Sequence, residues 1–474
     1  MKKYLLTFTI ALSLFSCQKD GQYEDYNRDP KNPTAVASDF LFTNAIASMG
    51  DQMASANVNT NIFRFISQYW TATTYFDEPN YNIRARTIPQ NQWSEIYRDV
   101  ILDIQNAKEI ASANEELSNS ELQARLGQLE VMEVYAWEVM VDTFGDIPYT
   151  EALNAKEFSI PKYDDASTIY ENLIARLLVV SDQLNAGQGF TDADIIYEGD
   201  MEKWNKFGNS ILLRLGIMIS DSNPELSRQA VEAASSGGVF ASNDDSALLE
   251  YQSSTPNTNP LWVDLVQSGR NDYVVANTIV DYMNNLNDPR RPFYFDNNLD
   301  DTYKGGVYGG ESNAYSSFTH VGAPFEDPTH PGILLDYAEV QFNLAAAAKL
   351  GYTVTGDAEQ HYNDGITASI SYWGGSDEDI TSYLSQDAVS YDGSSDQFAT
   401  QFWIAMYDNA FQGWNVWRKF DGPKLNVAQQ SKLPVPLRYT YPTNEQTLNE
   451  DNNSAAAKAI GGDEQQTRIF WDVN

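Results

Sequence analysis

Apolar residues recur at helical spacing through most of this chain, and polar or glycine-rich stretches divide the periodic segments. Trp93, Ile96, Tyr97, Val100, Ile101 and Ile104 predict a helix over 93–110, and Leu122, Leu126, Leu129, Met132 and Ala136 predict a partner over 117–144. The two are expected to pair as a hairpin, the second stopped by Gly145 and Pro148. Further helices are predicted over 40–65, 166–184 and 201–220, and from Asn223-Pro224 to Ala234. The pattern then predicts helices over 332–350, 357–372 and 397–411, with mostly loop from Gly413 to Asn474. Helix pairs at this spacing suggest a stack of hairpins of the tetratricopeptide kind, although no strict 34-residue repeat is present.

Two stretches break the periodicity. Gln68 to Asn82 carries threonines and Pro79, which point to an extended or looped excursion bearing Trp70, Tyr75, Phe76 and Tyr81. From about 237 to 332 the chain turns to Gly, Asn, Asp, Ser and Tyr, with one helical interlude over 273–286. Irregular runs of that length in a compact protein carry function or are disordered, and the aromatic content favours function.

The start of the chain is a separate signal. Lys2 and Lys3, the apolar run from Leu5 to Phe15, and Ser16 before the only cysteine, Cys17, resemble a bacterial lipoprotein signal cleaved ahead of that cysteine. The run is too short for a membrane-spanning helix. Residues 1–16 are thus expected to be removed, with Cys17 lipidated, 17–38 a tether with turn signals at Asp29-Pro30 and Asn32-Pro33, and 39–474 a single domain. The alternative is an ordinary secretory signal with an incidental cysteine.

Composition narrows the function. With 66 acidic and 30 basic residues the net charge is -36, which repels phosphate and argues against nucleic acid. No second cysteine is available for a disulfide, so burial must stabilise the fold. Aromatics reach 13%, and many Tyr and Trp lie beside Asn, Gly and Asp, a mixture that suits sugar rings. The three histidines form no His-Glu-x-x-His motif, and neither a Gly-x-Ser-x-Gly elbow nor a phosphate-binding glycine loop occurs. His320 and His330 lack a cysteine or other clear co-ligand, so neither metal nor cofactor is expected.

Six segments, in order, resemble the second large subfamily of the SusD/RagB outer-membrane lipoproteins. They are 142–151, 204–216, 287–290, 335–343, 413–418 and 438–446. The resemblance implies a mainly α fold, in which four tetratricopeptide-like hairpins form a scaffold and long inserted loops build the ligand face. It further implies a non-enzymatic protein at the cell exterior, anchored in the outer membrane. Such a protein captures an oligosaccharide or polysaccharide and passes it to a SusC-type TonB-dependent transporter. On this view Asn209 and Arg214 satisfy buried backbone groups and Glu339 pairs with a cation.

The expected ligand contacts are Trp70, Tyr75 and Tyr81 in the first loop. In the second region they are Trp262, Tyr273, Tyr303, Tyr308 and Tyr315, with Arg270, Asn271 and Asp272 as polar companions. Gly305-Gly306 and Gly309-Gly310 would place Tyr308 on a flexible loop, whereas Trp93, Trp137, Trp204 and Trp403 read as core. The rival cargo is a peptide, which would rely on backbone hydrogen bonds in a deeper cleft, and a third possibility is a lid with little affinity of its own. The acidic composition fits a saline habitat, and an algal storage glucan such as a β-glucan is the cargo expected on that ground.

Overall fold

Acidic and amide side chains start most of the long helices. In the computed structural model, which describes residues 36–84, 86–300 and 302–473, Ser118 and Glu121 form a reciprocal capping box at the start of Asn119–Phe144. Asp165 caps Ala166–Leu184, Asp200 caps Met201–Met218, and Asn223 caps Pro224–Gly237 with Pro224 at the first helical position. Asp336 caps Tyr337–Lys349 and Asp357 caps Ala358–Tyr372. Each of these caps satisfies an amide that a helix start leaves without a partner.

The structure is mainly helical. Ala166–Leu184 lies against Asn119–Phe144, Pro224–Gly237 against Met201–Met218, Ala358–Tyr372 against Tyr337–Lys349, and Ala410–Phe420 against Ser395–Ala405. Leu102–Ala113 packs on both Ser38–Ala54 and Asn119–Phe144. Among the described residues no helix is long and apolar enough to cross a membrane. The lipidation position Cys17 lies outside them.

Several predicted boundaries move, for physical reasons. The first helix stops at Ala54, where Ser55, Asn57 and Asn61 turn the chain through side-chain bonds to backbone, before Phe63–Ile66 resumes. Residues 273–275 and 332–335 are not helical. Tyr273–Val275 is a strand, β3, paired antiparallel with β1, Trp70–Ala72. Gly332–Leu335 is a strand, β4, paired antiparallel with β2, Ala247–Leu249. Short apolar runs read alike as buried helix or buried strand, and here tertiary pairing decides. After Ser395–Ala405 a second helix, Ala410–Phe420, follows from the Asn409 cap; Thr443–Leu448 and Glu450–Ala459 are helical where loop was expected, and Asp377–Leu384 is a further helix that the pattern did not single out.

The family-like segments meet one another in the interior. Arg214 bonds Glu138 through Nε and Nη2, at 2.7 and 2.6 Å, and Glu339 through Nη1 at 3.0 Å, tying three helices together. Glu339 therefore has the expected cation, whereas Arg214 serves carboxylates rather than backbone. Asn209 does satisfy backbone, donating to the Gly238 carbonyl at 3.0 Å. Asp142 accepts from Tyr170, Asn415 and Trp471, and Arg438 donates to the Phe144 carbonyl that ends the same helix. Arg290 and Asp288 form a fully buried pair. Trp93, Trp137, Trp204 and Trp403 are all buried, as expected.

Candidate functional site

The two irregular stretches singled out in the sequence come together. Their contact is the β1–β3 ladder, which sets Trp70 opposite Val275, Thr71 opposite Val274 and Ala72 opposite Tyr273. The Thr73 amide extends it, donating to the Asp272 carbonyl at 2.8 Å. A third segment packs beneath, where the Gly306 amide donates to Val275 and the Asn277 amide to Gly306, both at 2.8 Å. Asn313 Nδ2 reaches the Ala72 carbonyl at 3.3 Å.

Four of the aromatic residues expected at the surface are structural. Trp70 is fully buried, its Nε1 donating to the Tyr407 hydroxyl at 2.9 Å and its ring lying near Tyr273, Phe325 and the Arg64 guanidinium. Tyr81 accepts from Gln68 Nε2 at 3.0 Å, Tyr273 donates to the Ala56 carbonyl at 2.9 Å, and Tyr308 donates to the Phe65 carbonyl at 2.6 Å; all three are buried. Nor do the glycines around Tyr308 provide a flexible loop. A Cβ on Gly305 would lie 2.4 Å from the Asn277 backbone, so glycine there permits close packing.

Tyr75, Arg270, Asn271 and Asp272 are brought together at the end of this ladder. Arg270 Nη2 donates to the Tyr75 hydroxyl at 2.7 Å and to Asp272 Oδ1 at 3.0 Å, and Thr74 Oγ1 donates to the same Oδ1 at 2.6 Å. The guanidinium carbons of Arg86 and Arg270 lie over the Tyr75 ring at 4.5 and 5.2 Å from its centroid. Arg86 is in turn paired with the buried carboxylate of Glu78. Exposed Asn271 contributes its carbonyl as acceptor for Thr73 Oγ1. The result is a half-exposed ring whose orientation is fixed on several sides.

A cavity of about 510 Å³ is bordered by Asp51, Asn57, Asn91, Glu95, Thr258 and Asp264 among others, and none of the four residues of the Tyr75 cluster lines it. Asn57 Nδ2 donates to Asp264 Oδ1 at 3.2 Å, and Asn91 Nδ2 to the Asn59 carbonyl at 2.7 Å, which joins three separate segments of the wall. Desolvation pushes the Asp264 carboxyl up to about 6, and the negative charge of nearby Asp272 acts in the same direction. Trp262, half-buried, stands between the wall residues Pro260 and Val263 in a turn pinned by Asn259, whose side chain accepts from the Leu261 amide and donates to the His330 carbonyl. These wall residues were missed in the sequence, though the runs Asn57-Val-Asn-Thr-Asn61 and Thr255-Pro-Asn-Thr-Asn-Pro260 were legible as clusters of amides and hydroxyls.

A second groove, about 720 Å³, is lined by Phe76, Asn80 and Asn82 of the first loop together with Gln430, Leu433 and Gln465. Tyr303 lies by Phe295 and the Arg291 guanidinium, and Tyr315 stacks on His320 at 3.7 Å between centroids. His330 Nε2 instead faces buried Asp408 at 2.8 Å, so the two histidines have different partners.

Known proteins share this architecture. A family model, SusD-like_2, described as starch-binding associating with outer membrane, matches residues 30–442. No curated protein sequence matches. Among solved structures, a chitin-binding protein is 24% identical over 92% of this chain and 100% of its own, with a TM-score of 0.79. A SusD homologue from Bacteroides uniformis is 22% identical over 92% and 100% of the two chains, with a TM-score of 0.80. A chitin-binding SusD homologue from Flavobacterium johnsoniae is 22% identical over 91% and 99%, with a TM-score of 0.78. At these identities the structures establish the shared fold.

Proposed function

Since this chain belongs to the SusD/RagB family, we propose that it is a glycan-capture lipoprotein of the outer membrane, lipidated at Cys17 and facing the cell exterior, that hands oligosaccharide or polysaccharide to a SusC-type TonB-dependent transporter. The observation that carries the proposal is the joining of the first loop to the second irregular region. It sets a pre-oriented ring, Tyr75, against the polar companions Arg270 and Asp272, and the charge of Asp272 reaches Asp264, which borders a cavity walled by amides, hydroxyls and carboxylates. A sugar presents an apolar C–H face to a ring and hydroxyls to such groups, and the site offers both. The role is binding rather than catalysis. Chitin-binding proteins among the structural neighbours, and the starch-binding description of the family, support a glycan as cargo.

Native affinity electrophoresis against soluble starch, a β-glucan and a soluble chitin derivative tests the reading. Retardation by at least one glycan is expected. Tyr75→Ala and Trp262→Ala should each weaken it, by about 0.5–1.5 kcal/mol beyond lost contact area, with the circular dichroism spectrum unchanged. Undiminished retardation in both variants would move the site elsewhere, and retardation by peptides alone would replace glycan with peptide. The anchor is tested separately. Cys17→Ser is expected to release the protein from the membrane fraction, because the acyl chains supply the attachment at about 0.8 kcal/mol per buried methylene.

A further inference from the structure

Granted glycan capture, on which this inference rests, the surroundings of Tyr75 narrow the cargo class. The guanidiniums of Arg86 and Arg270 lie over that one ring, and each is held by a carboxylate set deeper than itself. The side chain of Glu78, which pairs with Arg86 Nε, has no exposed surface, and that of Asp272, which accepts from Arg270 Nε and Nη2, is 9% exposed. The two arginine side chains are 30% and 49% exposed. Negative charge therefore lies beneath the cluster, and N–H donors lie at its surface.

Those donors are only partly used. Arg86 reaches Glu78 through Nε alone; both of its Nη groups lack a partner among the described residues, and neither is buried. Arg270 bonds Asp272 and the Tyr75 hydroxyl through Nε and Nη2, which leaves its Nη1 without a partner among the described residues. Cations are scarce in this chain, 30 against 66 acidic residues, so two exposed guanidiniums on one exposed ring depart from the character of the rest of the molecule. The net charge of -36 repels an acidic cargo at long range. That repulsion fades over a Debye length, about 8 Å at physiological ionic strength, whereas guanidinium bonds are made in contact.

We propose that Arg86 and Arg270 bind an oxyanion carried by the cargo, so that this protein captures glycans bearing a sugar carboxylate or a sulfate ester in preference to neutral ones. A guanidinium presents its donors as a rigid fork that matches the oxygens of such a group. Its hydrogen bonds to an oxyanion are charge-assisted and roughly twice as strong as bonds between neutral groups. A neutral sugar hydroxyl could accept from the same fork but would gain no such increment. Glu78 and Asp272 act as positioning residues, since each fixes a guanidinium from below and leaves its free donors outward. The cluster thus favours an acidic polysaccharide over the neutral storage glucan suggested by composition.

Isothermal titration of the full chain at about 0.15 M ionic strength separates the outcomes with pairs that differ only in the acidic group. The probes are a galacturonate oligomer and its methyl ester, a sulfated galactose oligomer and its desulfated form, and a glutamate-rich peptide. At least one acidic oligomer is expected to bind about tenfold more tightly than its neutral partner, the step from a neutral to a charge-assisted contact. The pair that shows the step distinguishes carboxylate from sulfate. Arg86→Gln combined with Glu78→Gln removes one guanidinium without stranding its buried carboxylate, and Arg270→Gln leaves Asp272 the Thr74 hydroxyl as donor. Each change should shrink the ratio of acidic to neutral affinity severalfold, with the circular dichroism spectrum unchanged; a merely structural arginine would weaken both members of a pair alike and leave the ratio. Neutral members that bind as tightly as the acidic ones, or alone, would overturn oxyanion selection and leave glycan capture standing. A ratio that survives both changes would overturn its assignment to Arg86 and Arg270, and tightest binding by the peptide would overturn the sugar. Binding of no glycan, neutral or acidic, to the folded protein would count against the capture reading itself.

Discussion

Arg214→Met is expected to lower the stability of this protein by about 3–5 kcal/mol, because it leaves two carboxylates buried without their cation. Glu138 and Glu339 are each no more than 1% exposed and Arg214 is 2% exposed. They join Asn119–Phe144, Met201–Met218 and Tyr337–Lys349, so the loss is felt where three helices meet. Equilibrium unfolding in urea measures it. A deficit below about 1 kcal/mol would show that the helices hold without the network. Replacing all three residues with apolar ones should recover most of the loss, since a well-packed apolar cluster can match a buried ionic one.

The same triad predicts a pH dependence. Burial pushes Glu138 and Glu339 up to about 7, against the attraction of Arg214, while an unfolded glutamate titrates near 4.5. Between those values the folded chain holds protons that the unfolded chain has lost. This contribution to stability therefore falls as pH rises from about 4.5 to 7. In Arg214→Met the carboxyls rise further, so the deficit of the variant should widen from mildly acidic to mildly alkaline pH. A deficit independent of pH would assign the effect to lost packing instead.

How much the sequence revealed depends on the range over which each signal acts. A helix start such as Asn223 with Pro224 is decided within a few residues, and the structure has it where the pattern put it. The Glu339 carboxylate, set in an apolar pattern, announced its need of a cation but not which one, because Arg214 reaches it from another helix. Trp70 and Tyr308 misled for a similar reason. Each lies among polar or glycine-rich neighbours that read as exposed loop, yet distant segments bury both. Trp70 is covered by Tyr273, Phe325 and Tyr407, and Tyr308 by Phe65 and Tyr81. Conversely Asn57, inside a predicted helix, and Thr258 and Asp264 were not singled out, and their meeting at one cavity depends on tertiary pairing that local composition does not encode. Tyr75, Arg270 and Asp272 were singled out because ring and polar companions are recognisable by type, and the structure brings them together through bonds that the sequence does not show.

Tyr308 and Tyr75 give the sharpest contrast between framework and site. Tyr308 is 1% exposed, its hydroxyl bonded to the Phe65 carbonyl at 2.6 Å and its ring 5.9 Å from that of Tyr81. Tyr308→Ala would leave a ring-sized cavity, although the Phe65 carbonyl would keep the Gln68 amide as donor, and a loss of about 3–5 kcal/mol is expected, as for other large buried aromatics. Tyr308→Phe removes only the hydrogen bond and should cost about 0.5–1.5 kcal/mol. Tyr75→Ala, at a half-exposed ring, should stay within about 1 kcal/mol of the parent, since its contacts to Arg86 and Arg270 are surface cation–π pairs. Binding reads the two oppositely. Glycan retention should fall in Tyr75→Ala at full stability, and be kept in Tyr308→Phe, where the β1–β3 ladder and its loops remain in place. If Tyr308→Phe lost binding while Tyr75→Ala kept it, the ligand would contact the Tyr308 hydroxyl and the buried framework would have to open to admit it.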